Sequence, residues 1–288
     1  MKIFDGFLYH NKPEMLELHL ETLAHEVEAF VMVQSAQTFT GSPRAVVTLE
    51  QLGLERFRSK VIEVTFSLNT EVPTDHREAF QRNMIAAPLA AGGISDEDVV
   101  IISDLDEIVD PMAVRRLAED PELLRCFGKV RFQMQFHYYF LDCLLDDSFQ
   151  PWRQCVAVLW SRLKRSSCQQ ERMMNLIQKS DLAVEIPNGG WHFSWFGTPQ
   201  QVKETLYSHV DPMSRNFEGL SYDDVMKIRL DGKDIFGRDL PPLKFLDELP
   251  PLPTTVMDNL ERYRQLGWVR RSDVVESEIK KVNDAKLS

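Results

Sequence analysis

The sequence predicts an α/β protein built on a mostly parallel central sheet with helices packed against it. Apolar, β-branched runs typical of buried strands alternate four times with helical segments over residues 1–110. The last of these runs, Val99–Ile102, is followed by three carboxylates within four positions, Asp104, Asp106 and Glu107. A strand interior cannot hold that charge, so these acids are expected just past the carboxyl end of the strand. Right-handed crossovers would make this half a doubly wound, nucleotide-binding type.

The elements of the first half follow in order. Predicted strands cover residues 2–9, 29–35, 61–66 and 99–102, and predicted helices cover residues 11–25, 49–57 and 76–91. Asn11 is the expected N-cap of the first helix. Pro88 is expected to kink the third helix or to end its regular part. Asp110 and Pro111 have the N-cap and N1 pattern of a further helix that runs to about residue 117.

The pattern changes in the second half. Residues 130–141 alternate as in a strand with one exposed face, and further strands are expected at residues 153–160 and 182–187. Helices are expected at residues 166–179, 199–208, 222–230 and 256–266. Residues 188–197 are a Gly-bracketed aromatic segment, and the Pro-rich residues 240–253 predict an extended segment on the surface.

Composition narrows the classes of function. The net charge of −11 argues against sequence-independent binding of nucleic acid and against a polybasic membrane anchor. Asp5 and the lack of a sustained apolar run argue against a secretory signal, and no run approaches the roughly 18 apolar residues of a membrane span. The four cysteines have no CxxC spacing, which favours free thiols over a disulfide or zinc framework. We therefore expect a cytoplasmic protein.

The DLD run is the main candidate site. Asp104 and Asp106 are two positions apart, so in extended geometry their side chains point the same way. Paired carboxylate oxygens suit a hard divalent cation, which could in turn hold phosphate oxygens. A simple helix start is the alternative interpretation, but it explains Asp110 and leaves Asp104 and Asp106 unexplained. The pattern favours a metal or phosphate site.

A polar helix leads into the DLD strand. Arg77 and Arg82 lie on this helix, and Arg82 could reach a phosphate or sugar at the strand ends. Asn83 could bind a hydroxyl or an amide. A surface ion pair between Glu78 and Arg82, four residues apart, explains the pattern at least as well.

The aromatic segment GGWHFSWFG, residues 189–197, is the second candidate. Trp191 and Trp195 could stack on the C–H face of a sugar, although such residues more often belong to the core. His192 could complete a metal shell begun by Asp106, whereas a hydrogen-bonded core histidine is the ordinary alternative. The flanking glycines allow close approach of the backbone, which favours a site.

Several catalytic classes lack their motifs. The chain has no GxSxG, Walker A or GxGxxG pattern, so hydrolase, P-loop and Rossmann dehydrogenase interpretations are unsupported. A nucleotidyltransferase or a metal-dependent phosphohydrolase also uses paired aspartates after a strand and stays open as an alternative. So does a non-catalytic carbohydrate-binding protein on a degenerate transferase fold.

Five blocks in this order resemble glycosyltransferase family 17: KIFDGFLYHNKPEMLEL, TFTGSPR, QRN, VVIISDLDEI and GGWHFSWFG. The resemblance covers residues 2–239. It implies a GT-A-like fold, a UDP-GlcNAc donor, a glycan or other hydroxyl acceptor, and inversion at the anomeric carbon. One block departs from the pattern: residues 34–36 are Gln-Ser-Ala where a Glu-Ser-Asn-like triplet is expected.

The resemblance also implies roles for individual residues. Asp104 and Asp106 match the DxD motif that holds Mn²⁺ or Mg²⁺ on the donor diphosphate, and His192 matches a late metal ligand. Asp104 is also an alternative contact for the ribose. The expected nucleotide-sugar-binding residues are Arg77, Arg82, Asn83, Asp104 and Glu107, and the expected acceptor-binding residues are Trp191 and Trp195. An inverting enzyme needs a general base, for which Glu171 and Asp211 are the candidates because they lie in the acceptor half near the GGWHFSWFG segment. Asp146 and Asp147 are weaker candidates for the same role.

The resemblance and the sequence pattern together predict a domain organisation. We expect residues 1–240 to form a GT-A-like domain, divided into a nucleotide-sugar-binding half (1–110) and an acceptor-side half (111–240). We expect residues 241–288 to be a Pro-rich segment and a C-terminal helix that packs on this domain.

Overall fold

A computed structural model of the chain describes residues 1–68, 71–177, 184–208 and 219–270. Within these residues ten strands form one large mixed sheet, and helices pack against it. The predicted α/β class, with a central sheet flanked by helices, is confirmed. None of the helices in these ranges is both long enough and apolar enough to cross a membrane.

The first half is a parallel βα unit, as the alternation of the sequence predicts. Its elements are β1 (Ile3–Leu8), α1 (Pro13–Leu23), β2 (Ala29–Ser35), β3 (Val61–Phe66), α2 (Thr74–Asn83), α3 (Ala86–Ala91) and β4 (Val99–Ile102). The strands lie side by side in the order β3-β2-β1-β4, and every neighbouring pair is parallel. The carboxyl ends of β1, β2 and β4 therefore meet at one edge of the sheet.

The second half extends the sheet mainly with antiparallel strands. Its first elements are β5 (Glu107–Val109), α4 (Pro111–Glu119), α5 (Glu122–Phe127), β6 (Lys129–Tyr138), β7 (Cys143–Leu144), β8 (Val156–Leu159), α6 (Trp160–Leu163), α7 (Cys168–Ile177) and β9 (Val184–Ser194). Strand β8 lies antiparallel between β4 and β6, whereas β6 and β9 are parallel. The parallel arrangement is thus concentrated in the first four strands, and β9 joins the expected short strand and the aromatic segment into one element.

The central strands are buried on both faces, as their continuous apolar runs predict. Alternate residues of β2 and β4 belong to two different apolar clusters. Phe30 and Ile101 pack in the cluster that holds α1, and Val31 and Ile102 pack in the cluster that holds Ile85 and α3. Helices on both faces therefore hold the edge where β1, β2 and β4 end.

Some local expectations are corrected. The N-cap position of α1 is Lys12, and Asn11 faces α8 instead: its side-chain oxygen accepts from Thr205, and its amide nitrogen donates to Glu204 and to the carbonyl of Gln201. The predicted helix over 76–91 breaks between α2 and α3, before Pro88, since a proline cannot donate the hydrogen bond that would continue the helix four residues back. Residues 49–57 contain only a 3₁₀ turn at Glu55–Phe57, and Gly53 lies in the left-handed region.

The C-terminal part packs on the sheet. Its elements are α8 (Pro199–Ser208), α9 (Tyr222–Leu230), β10 (Lys244–Phe245), α10 (Thr254–Asp258) and α11 (Leu260–Gln265), so the predicted helix over 256–266 is divided at Asn259. Strand β10 pairs with β7. Leu252, Val256, Tyr263 and Trp268 belong to the main apolar core.

Candidate active site

A cavity of about 170 Å³, here called the edge cavity, opens at the carboxyl ends of β1, β2 and β4. Ligands of open α/β sheets bind at this edge. Its charged lining residues are Lys12, Arg44, Glu78, Arg82, Asp104 and Asp106. A second cavity of about 430 Å³ adjoins it and shares Tyr9, His10, Arg44 and Ser208.

Asp104 is held by two arginines. Arg82 donates from Nη2 to Oδ1 at 2.8 Å, and Arg172 donates to Oδ2. Burial alone would raise the pKa of Asp104, but the charges of Arg172 and Arg82 outweigh it and hold that pKa well below its ordinary value. Asp104 is therefore a fully ionised carboxylate whose two oxygens are both paired.

Glu107 is buried and fixes the turn that follows β4. Its carboxylate accepts two hydrogen bonds from Arg172, at 2.6 and 2.8 Å, and one from the indole of Trp152. It also accepts from the backbone N–H of Asp104 at 2.8 Å. Glu107 thus stabilises the conformation of the DLDE turn (residues 104–107).

Asp106 and His192 face each other beside the edge cavity. His192 Nε2 lies 3.7 Å from Oδ1 of Asp106, and Lys12 Nζ lies 3.5 Å from Oδ2. The imidazole packs against both Phe136 and Trp152, with ring centroids 4.5 and 4.4 Å away, and these two rings also contact each other. Burial lowers the pKa of His192, although Asp106 and other nearby carboxylates oppose this. The imidazole is therefore neutral at pH 7 and can donate a lone pair.

These residues offer an incomplete set of metal ligands. Within the described ranges, no group of three or more His, Cys, Asp or Glu side chains is arranged to hold a metal ion. Asp106 and His192 supply one carboxylate and one imidazole, and His192 Nδ1 is buried without a hydrogen-bond partner among the described residues. Nucleotide enzymes often bind Mg²⁺ through one or two carboxylates together with substrate phosphates. The pair therefore fits a cation whose coordination the donor completes.

The three predicted binding residues of α2, Arg77, Arg82 and Asn83, have different environments. Arg82 lines the edge cavity but is only 2% exposed, and it pairs with Glu78, Gln169 and Asp104. The expected Glu78–Arg82 pair therefore exists, with a buried guanidinium. Asn83 accepts a hydrogen bond from the backbone N–H of Gln169 at 2.9 Å, close to the start of α7.

Arg77 holds a loop. It donates to the carbonyls of Val72 and Phe39, at 2.9 and 3.0 Å, and its guanidinium lies against Gly41. These contacts join the start of α2 to the TFTGSP loop that follows β2. Arg82 is thus the member of the predicted Arg77, Arg82 and Asn83 set that lines the edge cavity.

The predicted base Glu171 lies in a separate ion cluster. Its carboxylate is 1% exposed and accepts from Arg162 at 3.0 Å and from Ser166 at 2.7 Å, with Lys129 at 3.5 Å. These partners favour a structural role. Asp211, the other base candidate, lies outside the described residues.

The two predicted acceptor-binding tryptophans are separated. Trp191 lines a cavity of about 560 Å³, here called the Trp191 cavity, together with Asp110, Gln133, Gln135 and Asn188. Its indole N–H donates to the carbonyl of Pro251 at 2.8 Å. Trp195 is in a second apolar cluster and packs on Phe236, with ring centroids 5.2 Å apart.

Sequence reasoning missed four residues of the site: Lys12, Arg44, Trp152 and Arg172. Lys12 and Arg44 follow β1 and β2, so their positions after strand ends were an available signal. Arg172 had no such signal, because 68 residues separate it from Asp104.

A match to a protein-family model identifies the class to which this chain belongs. The model of glycosyltransferase family 17 matches residues 1–249. The chain belongs to glycosyltransferase family 17. The protein is accordingly a glycosyltransferase, and the resemblance seen in the sequence blocks is confirmed. A search of curated proteins finds no match.

Three of the solved structures that match this family 17 chain are weakly similar to it. Mannose-6-phosphate isomerase from Helicobacter pylori has 16% identity and a TM-score of 0.27, and the match covers 49% of this chain and 54% of that one. An active-site mutant of LgtC has 12% identity and a TM-score of 0.31, with 93% of this chain and 95% of that one covered. Mannose-1-phosphate geranyltransferase from Thermus thermophilus has 13% identity and a TM-score of 0.27, with 88% of this chain and 73% of that one covered. The chain spans about half the length of the isomerase. TM-scores this low carry no inference about the fold.

Proposed function

We propose that this glycosyltransferase is metal-dependent and inverting, and that it moves GlcNAc from UDP-GlcNAc to a hydroxyl of a glycan or another acceptor. The observation that carries the proposal is the pair formed by Asp106 and His192, which lies beside a cavity at the carboxyl ends of three parallel strands. The identities of the donor and the acceptor rest on the family resemblance.

Asp106 and His192 would hold Mn²⁺ or Mg²⁺ together with the donor phosphates. A mixed oxygen and nitrogen donor pair favours Mn²⁺, because Mg²⁺ prefers oxygen ligands. The cation would stabilise the negative charge that develops on the departing diphosphate.

Asp104 has a different part in the proposed site. Its oxygens are paired with Arg82 and Arg172, yet 34% of its side chain stays exposed. An ionised carboxylate with exposed surface can accept a hydrogen bond from a ribose hydroxyl while both arginines hold it in place. We therefore propose that Asp104 contacts the ribose of the donor and that Asp106 binds the metal.

The acceptor hydroxyl needs a base and a binding surface. Arg162, Lys129 and Ser166 engage Glu171, so we propose Asp211 rather than Glu171 as the base. The Trp191 cavity combines an indole with amide side chains, a composition suited to neutral sugars, so we propose it as the acceptor region.

Thermal unfolding with nucleotides tests the donor site. A ligand that binds only the folded state raises the midpoint according to its concentration over Kd. We expect UDP to raise the midpoint of wild type in the presence of Mn²⁺ more than GDP, CDP, ADP or TDP does. Asp106→Asn should remove the shift and lower the transfer rate at least about a hundredfold.

Asp147→Asn is the matched control. Asp147 pairs with Lys244 at 2.7 Å, and 87% of its side chain is exposed, so this variant should keep the UDP shift. An equal shift in Asp106→Asn would contradict the assignment of the metal ligand. No shift with any nucleotide in folded wild type would instead favour a non-catalytic carbohydrate-binding protein.

A further inference from the structure

Lys12 faces the carboxylate that the proposed metal would use. Its ammonium group lies 3.5 Å from Oδ2 of Asp106, on the side away from the oxygen that faces His192. Only 12% of the lysine side chain is exposed. A positively charged group therefore lies in the wall of the edge cavity, directly beside Asp106.

The loop that carries this lysine is anchored on both sides. Arg44 donates to the carbonyl and to Nδ1 of His10, at 2.6 and 2.7 Å. Asn11 donates to Glu204 of α8 at 3.0 Å. Because the backbone on the amino side of Lys12 is held and Pro13 begins α1 on the other side, the ammonium group can change partner only by rotation of its side chain.

The charges around Asp106 oppose a metal that arrives alone. A divalent cation bound to this carboxylate would lie close to the ammonium group of Lys12, and like charges at such a distance repel each other. A nucleoside diphosphate reverses the balance, since its negative charges attract both cations. The same lysine therefore disfavours the metal without the donor and favours the two together.

We propose that Lys12 couples metal binding to donor binding. It pairs with Asp106 in the donor-free enzyme, and it moves to the diphosphate of the donor when the metal takes its place on that carboxylate. This inference rests on the proposed function and adds an order of ligand binding, in which the metal binds together with the donor. Linkage makes the coupling reciprocal, so each ligand should strengthen the other.

Lys12→Met tests the coupling, because methionine removes the charge and keeps an unbranched chain. Without nucleotide, we expect Mn²⁺ to bind the variant about fivefold more tightly than wild type, as followed by the electron paramagnetic resonance of free Mn²⁺. With saturating Mn²⁺, we expect UDP to bind about tenfold more weakly by calorimetry, the size of one lost charge-assisted hydrogen bond.

The opposite signs separate this role from a structural one, since a poorly folded variant would bind both ligands more weakly. Lys164→Met is the control: Lys164 also pairs with an aspartate, Asp96, but in an exposed position, so both affinities should match wild type. In an Asp106→Asn background, Lys12→Met should no longer change Mn²⁺ binding.

Two results would overturn the role of Lys12 alone: unchanged Mn²⁺ affinity in Lys12→Met, or unchanged UDP affinity, in a wild type that binds UDP with Mn²⁺. A wild type that binds no UDP, or that binds it equally well without a metal, would overturn the proposed function as well.

Discussion

Arg172 joins the two carboxylates at the ends of the DLDE turn. It donates twice to Glu107 and once to Asp104, and it is itself only 3% exposed. These acids hold the pKa of Arg172 above its ordinary value although burial opposes them. A charge network of this kind is sensitive to the loss of one member, because a buried partner is then left uncompensated.

Arg172→Met should therefore destabilise the protein strongly. Glu107 is fully buried and, among the described residues, would keep the indole of Trp152 and a backbone N–H as its side-chain partners. We expect a loss of about 3–5 kcal/mol in the free energy of unfolding, measured by urea denaturation. Arg125→Met is the control. Arg125 is 51% exposed in its pairs with Glu97 and Glu122, so this variant should lose less than about 1 kcal/mol in the free energy of unfolding. Equal losses in the two variants would contradict the structural role of Arg172.

At the scale of the elements, β9 depends on a glycine. Gly190 pairs with Val109 of β5 and has a φ of 143°, which L side chains rarely adopt. A Cβ atom there would lie 2.2 Å from the carbonyl oxygen of Ile108. The interpretation that these glycines permit close backbone approach is confirmed, and the approach places His192 opposite Glu107 in the same ladder.

Gly190→Ala should force β5 and β9 apart. We expect a loss of about 2–4 kcal/mol in the free energy of unfolding, from backbone strain and the clash together, and weaker binding of UDP with Mn²⁺ because His192 shifts. Gly53→Ala is the matched control. Gly53 also has a positive φ, 69°, but none of the described atoms lies within 4 Å of its Cβ position. We therefore expect a loss of about 1 kcal/mol in the free energy of unfolding. Similar losses in both variants would show that the contact with β5 is unimportant.

At the scale of the whole molecule, the core extends beyond the region that defines the family. The match to the family model ends at residue 249, whereas Trp268 is 2% exposed, packs against Tyr263 and meets Phe196 edge to face. Its carbonyl also accepts a hydrogen bond from Leu141 at 2.7 Å. The C-terminal segment thus stabilises the half of the sheet that carries β9.

Trp268→Ala should lower the stability of the entire protein. Removing a fully packed indole leaves a cavity, and we expect a loss of about 3–5 kcal/mol in the free energy of unfolding by urea titration. Met257→Ala is the control from the same segment. Met257 is 48% exposed, so its truncation should change the free energy of unfolding by no more than about 0.5 kcal/mol. A small effect at Trp268 would mean that this segment contributes little to the core.

Local patterns in the sequence were enough to predict the α/β class, the alternation of the first half and the position of the carboxylates after β4. They were enough because strand burial, helix caps and breakers act over a few neighbouring residues. The family resemblance was visible for the same reason, in short blocks of adjacent residues.

The groups that face Asp104, Asp106 and Glu107 depend on long-range packing and were not predictable from local patterns. Arg172, Lys12 and His192 come from three elements far apart in the chain, and their distances depend on how those elements pack. Periodicity places a side chain on a face of its own element, but it does not say which other element covers that face. The DLD motif was therefore predictable as a pattern, while the division of roles between its two aspartates depends on the charges that folding brings beside them.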